Sequence, residues 1–309
     1  MSATPVYDCI GLGISPADYI CLLDHYPHAD EKMHARAFVK QGGGPASTAM
    51  AALGRWGLRA ALITVAGDDD DGRFAMRDLE AHGVDTRWFK LEPGLRSARS
   101  FILVDTSTGT RAVVTENTGT RLLRASDINT KTLPRARAFH TDGRDTTACL
   151  KAMRHYRAAG AAVVLDAGSA RPRMDDITAL TDHFVASHSF VKAMFGPRVK
   201  PETACRRILG KGPRAAIVTL AADGCCGATQ DGRAFRIPGH RRDRFIVDTT
   251  GAGDIFHAGY IFGMLKGWNV DKSAAFGNAA AFLKCGSPGG RQGIASVQKI
   301  LKLANTQPL

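Results

Sequence analysis

Short apolar, β-branched runs alternate with longer helical patterns along this chain, and that alternation limits the folds open to it. In the second half, Ala162–Asp166, His183–Ala186, Ala215–Leu220 and Phe245–Val247 read as strands, and Thr146–Ala159, Thr203–Leu209, Ile255–Leu265 and Lys272–Cys285 as helices. Strands and helices taking turns imply a parallel sheet with helices on both faces. The first half adds strands at Tyr7–Gly11 and Ala61–Ala66 and helices at Ala46–Trp56 and Arg73–His82. It also departs from the pattern. FILVDTSTGTRAVVTE is two short runs, Phe101–Asp105 and Ala112–Thr115, joined by a Thr-Ser-Thr-Gly turn, which reads as a β-hairpin. AFVKQ, ahead of three glycines, is a further short strand. Such antiparallel pieces make a small flap on the main sheet. With no repeat, low-complexity tract or linker, residues 1–309 read as a single α/β domain.

Ligands of such sheets bind outside the carboxyl ends of the strands. The polar ends are therefore Asp18, Asp142 to Arg144, Asp166, Thr219 to Asp223, and Asp248 to Asp254. The last stretch, DTTGAGD, carries the most chemistry. Gly251, Ala252 and Gly253 leave backbone N–H groups unobstructed where a helix begins, and a helix N-terminus binds anions. Asp254 falls in the first turn of that helix, facing the same pocket. A carboxylate beside an anion hole suits a base that takes a hydroxyl proton while the hole holds charge on a transferring group. A second glycine run, QGGGPASTAMAALGRWG at 41–57, lets a ligand lie against backbone and again points a helix N-terminus at the site.

Several other motifs do not hold. There is no GxxxxGK[ST] loop, and GLGISP at 11–16 lacks the third glycine of a dinucleotide fingerprint. In GDDDDG at 67–72, Gly72 as loop position six puts Gly67, not Asp, at position one, so a calcium loop is out of register. The stretch reads instead as a loop entering an acid-rich first helical turn. His257 reads as a packing histidine and Cys225–Cys226 as core of a strand.

Composition excludes some classes. No run approaches eighteen apolar residues, and MSATPVYDCIGLG has no basic segment followed by an apolar one, so neither a membrane span nor a secretory signal is expected. Seven cysteines without a CxxC point away from a disulfide framework or zinc site and toward a reducing cytoplasm. The net charge of +12 is scattered apart from Arg241, Arg242 and Arg244, and aromatics are only 7%. Nucleic acid is therefore not the expected partner, whereas an anionic small substrate suits a positive field.

Four stretches together resemble the ribokinase, or PfkB-type, carbohydrate kinase family over nearly the whole chain: GGGPASTAMAALGRWG, GDDDDGRFAMRDLEAHGVDT, VTLAADG at 218–224, and DTTGAGD. The resemblance implies a ribokinase-like three-layer α/β fold with a central, mostly parallel sheet. It also implies a small β lid, formed here by about 18–43 and 97–118, and transfer of the γ-phosphoryl of ATP, with Mg²⁺, to a sugar hydroxyl. By motif, Asp254 is the implied general base, and Gly251, Ala252 and Gly253 the anion hole. Asp18, Gly43 and Gly44 are implied to hold sugar hydroxyls. Thr219 and Gly224 match positions near the ATP phosphates, and Asn278 a position where loops wrap the adenine. A potassium ion used by some members implies Asp248 and Thr250 as ligands.

There are departures from the family pattern. Ser187 and Phe190 replace an Asn-x-x-Glu that tunes Mg²⁺ and phosphate, and Ser47 replaces an Asn of the sugar-binding helix. Within the family, GGGPA, GDDDDG, VDTTGAGDIFH and LKCGSPGGRQGI at 283–294 most resemble bacterial sulfofructose kinases. Lys32 and Arg144 fall at the positions that hold the anionic end of the sugar there, whereas Thr115 stands where an Asn is expected. The implied acceptor is the primary hydroxyl of a ketose with an anionic terminus, such as 6-deoxy-6-sulfofructose. The alternatives are a neutral ketohexose, a sugar phosphate of the fructose 6-phosphate type, a nucleoside, or, in another class, a non-catalytic nucleic-acid-binding or regulatory protein on a kinase fold. Open strand edges of the lid imply a homodimer.

Overall fold

The structure, a computed structural model, describes residues 7–240 and 245–305. In chain order the elements are β1 Tyr7–Leu12, β2 Ala17–Leu23, β3 Ala37–Gly42, α1 Pro45–Arg55, β4 Ala60–Gly67, α2 Asp70–Ala81, β5 Val84–Asp85, β6 Phe89–Glu92, β7 Arg99–Asp105, β8 Thr110–Glu116, β9 Ala136–Thr141, α3 Thr146–Ala158, β10 Ala162–Ala167, α4 Met174–Ala179, β11 His183–Ser187, α5 His188–Phe195, α6 Pro201–Leu209, β12 Ala215–Thr219, β13 Cys225–Thr229, β14 Ala234–Ile237, α7 Ala252–Leu265, α8 Val270–Lys284 and α9 Val297–Ala304. The main sheet runs β14-β13-β12-β11-β10-β9-β1-β4-β5, with β6 also paired to β4. The pairs from β12 through β4 are parallel, and β13 and β14 close one edge antiparallel. Central strands such as VVL in β10 and AIV in β12 are apolar without a break because helices bury both faces. One core lies under α1, α7, α8 and α9, the other under α3, α5 and α6. Helix α7 is buried almost all round, and its interior glycines let α8 approach. A Cβ on Gly259 would stand 2.7 Å from Gly277 Cα.

The lid is a separate four-stranded sheet, β3-β2-β7-β8. Its two central strands, β2 and β7, alternate. Ile20, Leu22, Ile102 and Val104 are buried on the inner face, while Phe38 and Phe101 are 64% and 46% exposed on the outer one. The predicted hairpin is β7–β8, antiparallel from Arg99↔Glu116 to Asp105↔Thr110.

One predicted strand is absent. Residues 245–247 run as a loop, and the amides of Val247 and Asp248 donate to Cys285 O at the end of α8 rather than to a neighbouring strand. Strands β2 and β9 are not expected from the sequence; each carries a charged residue, Asp18 or Arg137, at its second position. Helix α2 starts at Asp70, three residues before the predicted start, since Asp69 caps it by accepting from Gly72 N. The Arg241, Arg242 and Arg244 cluster lies outside the described residues. Among the described residues no helix is long and apolar enough to cross a membrane.

Candidate active site

Strand β1 lies between β4 and β9, so the direction of winding reverses there. That point of an open sheet leaves a crevice at the carboxyl ends of its strands. Around it the structure gathers Asp18, the 43–44 glycines, Arg144, and the 248–254 segment with the first turn of α7.

Gly251 precedes α7 with φ of 74°, a left-handed conformation, and a Cβ there would stand 2.6 Å from Gly290 Cα. Gly253 differs. A Cβ on it would meet no protein atom within 4 Å, so the space above the helix start is open. Asp254 borders that space. Burial pushes its carboxyl up to about 7, helped by the charge of Asp166 and opposed by His257 and Arg111. His257 is buried. Its Nδ1 lies 2.7 Å from Gly253 O and its Nε2 3.5 Å from Asp166. The residue read as packing therefore also ties Asp166 to the turn that carries Asp254.

On the opposite wall, Asp18 from β2 faces Gly43, where any Cβ would overlap its carboxylate. Burial raises Asp18 to about 6, against a hydrogen bond from Ser100 and the charge of Arg291. Arg291 is buried and holds the glycine loop. It donates to Gly43 O at 3.0 Å, to Ser47 Oγ at 2.6 Å, and to Asp78. Ser47 thus leaves room that a guanidinium fills.

Three arginines, Arg99, Arg144 and Arg171, line one cavity of about 320 Å³ with Ser100, Thr115 and Asn117. Arg99 is paired with Asp71. No carboxylate pairs with Arg144 or Arg171 among the described residues; Arg171 Nε lies 3.4 Å from Asp142 O. Lys32 does not line this cavity and lies exposed on the β2–β3 connection. The GDDDDG stretch anchors the lid. Asp71 meets Lys40 at 2.7 Å, the Tyr19 hydroxyl at 2.6 Å and Arg99, which come from three different lid strands.

The lid reaches back to the 248–254 segment. Arg111 lies opposite Val104, on the inner face of β8, and its Nη1 donates to Thr249 Oγ1 at 2.9 Å. Nearby, a Cβ on Gly109 would come within 2.8 Å of Ile246. Arg111 has no carboxylate ion-pair partner among the described residues.

The remaining predicted positions surround β12 and α8. Thr219 ends β12, with Oγ1 donating to Ala186 O at 3.3 Å. Gly224 has φ of 86° in the turn to β13. Asn278 is buried and its Nδ2 donates to Pro238 O at 2.9 Å, so this amide shapes the loop after β14. Ser187 caps α5 by accepting from Phe190 N at 3.0 Å, and Phe190 packs on Phe184. The replaced Asn-x-x-Glu therefore offers no carboxylate, and Asp166 is the acidic group beside Asp254. Asp248 is fully buried, its carboxylate accepting from Thr250 N at 2.7 Å and Gly289 N at 2.6 Å. Sequence reading missed roles for Arg111, Arg171, Arg291 and Lys284.

The profile described as pfkB family carbohydrate kinase matches residues 8–296. An ATP-dependent ribose-1-phosphate kinase of Halopiger xanaduensis is 30% identical over 279 residues, 89% of this chain and 90% of that protein. The ketohexokinase of Mus musculus is 25% identical over 290 residues, 91% and 96% of the two chains. The structure of Arabidopsis thaliana ribokinase complexed with ribose and ATP superposes with a TM-score of 0.81 at 18% identity, covering 97% of this chain and 99% of that one.

Proposed function

The chain belongs to the pfkB family of carbohydrate kinases, phosphotransferases with an alcohol as acceptor, and from that premise we propose that it uses ATP to phosphorylate a primary hydroxyl of a sugar whose far end is anionic. The observation that carries this is the cavity lined by Arg99, Arg144 and Arg171 beside Asp18 and Ser100. Guanidinium forks bind sulfonate or phosphate oxygens in pairs. Among the described residues neither Arg144 nor Arg171 is held in a carboxylate ion pair, although Asp142 and Asp145 share their field, so both forks are open to an anionic terminus. A 6-deoxy-6-sulfoketose is the acceptor we favour. A relative named for ribose 1-phosphate is consistent with an anionic sugar, and one named for ketohexose with a ketose.

In this reading Asp18 and the Gly43–Gly44 backbone hold sugar hydroxyls and present one of them to Asp254. Asp254 takes its proton as the oxygen attacks the γ-phosphorus in line. The amides of Gly251, Ala252 and Gly253 receive the charge that develops on the transferring group. Arg111 adds a cation from the lid, so that the site is complete only when the lid is down. A magnesium ion would supply charge neutralisation to the nucleotide phosphates, and Asp166, the acidic group beside Asp254, is the carboxylate suited to hold it, which leaves Asp254 free to act as base. Thr219 and Gly224 border the nucleotide, and Asn278 fixes the loop against the base. A second copy covers the outer lid face, where Phe38, Phe101 and Val114 are exposed beside Tyr19.

The test is ADP release with 6-deoxy-6-sulfofructose, fructose 6-phosphate, ribose 1-phosphate, fructose, ribose and adenosine, using the wild type, Arg144→Ala and Arg171→Ala. An anionic sugar should turn over best, and each substitution should raise its KM by about 10- to 100-fold while leaving the KM for ATP unchanged. Turnover confined to neutral sugars or nucleosides, or arginine variants with an unaltered sugar KM, refutes the anionic acceptor.

A further inference from the structure

The resemblance implies a potassium ion at Asp248 and Thr250, and the residues there do not fit one. Both carboxylate oxygens of Asp248 already accept backbone N–H groups, from Thr250 at 2.7 Å and Gly289 at 2.6 Å. Its carbonyl oxygen accepts from Lys284 Nζ at 2.7 Å. Thr250 Oγ1 is buried without a partner, but one hydroxyl is no substitute for the several oxygens that must replace an alkali ion's hydration shell. Lys284 itself is fully buried, although it is a lysine.

We propose that the ammonium of Lys284 is a built-in replacement for the monovalent cation beside the 248–254 segment, so that turnover requires no potassium. Lys284 is the last residue of α8, where the helix dipole is negative and favours a positive charge. Directly after it, Cys285 O accepts from the amides of Val247 and Asp248 at 2.8 and 3.2 Å. The cation is therefore fixed to the strand of backbone that leads into Gly251 and Asp254. The charged and titratable groups facing it are Asp248, Asp254, Cys285 and Arg111. An ion entering beside Lys284 would put a second positive charge on one buried carboxylate, with Arg111 nearby as a third. A tethered ammonium also carries no cost of capture from solution, because its position is fixed by folding.

This inference rests on the kinase reading for its activity arm, and a melting arm stands without it. Wild-type turnover should change by less than about twofold between potassium chloride and choline chloride at equal ionic strength, and its melting temperature should not differ between the two salts. Lys284→Ala should lose at least about tenfold in turnover, regain several-fold with potassium or ammonium, and melt higher in potassium than in choline. Lys284→Met, which fills the space without a charge, should show no such rescue. Activation of the wild type by about tenfold or more in potassium overturns the proposal, as does a potassium-specific rise in its melting temperature. A Lys284→Ala variant that stays fully active in choline also overturns it. If neither variant folds, the wild-type comparison still decides. If none of the sugars turns over, the melting arm still decides.

Discussion

Replacing Asp254 by Asn should make the protein less active and more stable, with both effects tied to pH. The carboxyl is raised from 3.8 to about 7, first by burial and then by Asp166. A carboxyl with a raised folded pKa binds its proton more tightly in the native state than in the unfolded chain. Stability therefore falls as pH rises through the window from about 4 to 7, and the cost is complete above it. Three units correspond to a ceiling of about 4 kcal/mol. Asp254 is not fully enclosed, and His257 and Arg111 answer part of its charge, so a gain of about 1–3 kcal/mol for Asp254→Asn at pH 8.5 is expected. At pH 4.5, where the native carboxyl is neutral but most of the unfolded one is still ionised, the gain should shrink to about a quarter. Urea midpoints of the two proteins at both pH values measure this. Turnover of Asp254→Asn should be lower by about 10²- to 10⁴-fold, the range for losing a general base. In the wild type, kcat/KM should rise with pH to a plateau, with a midpoint near the raised pKa. A variant no more stable than wild type at pH 8.5 refutes the burial argument, and one that keeps a tenth of wild-type kcat refutes the role as base.

Arg111→Met should lower kcat by about 10²- to 10³-fold, the cost of removing one donor to developing charge, while ADP affinity by calorimetry stays within about twofold. A matching loss in ADP affinity would mean that the arginine only binds nucleotide. Gly251→Ala should cost about 1–3 kcal/mol in urea denaturation, because alanine meets both a left-handed φ and Gly290. Gly253→Ala, with open space around it, should unfold near the wild-type midpoint yet lose turnover; a destabilised Gly253→Ala would show that the space is not free. Phe38→Ser with Phe101→Ser should convert a dimer to a monomer by sedimentation, and a wild type already monomeric refutes the lid contact.

The sequence carried the fold well where its signal was local. Continuous apolar runs, buried on both faces, announced β1, β4, β10, β11 and β12, and the Thr-Ser-Thr-Gly turn announced the lid hairpin. It failed where the partner was remote. Val247 looks like a strand residue until its amide is seen to pair with Cys285 rather than with a strand. The same division holds at the site. The residues of the 248–254 and 42–44 segments act through backbone shape, which glycine spacing writes directly into sequence. The arginines and the lysine act through position, which it does not. Arg111, Arg171 and Arg291 come from three separate segments, and any of them reads in sequence as one solvated cation among the 41 lysines and arginines of the chain, whereas Arg144 stands out by following a strand end and by the resemblance. By itself, then, the sequence determined a kinase-type sheet with an anion-binding helix start and a carboxylate beside it. Only tertiary structure decided which cations face that site, Arg111 reaching Thr249 from the lid and Arg291 buried against Asp78 and the glycine loop, because those contacts join segments far apart along the chain.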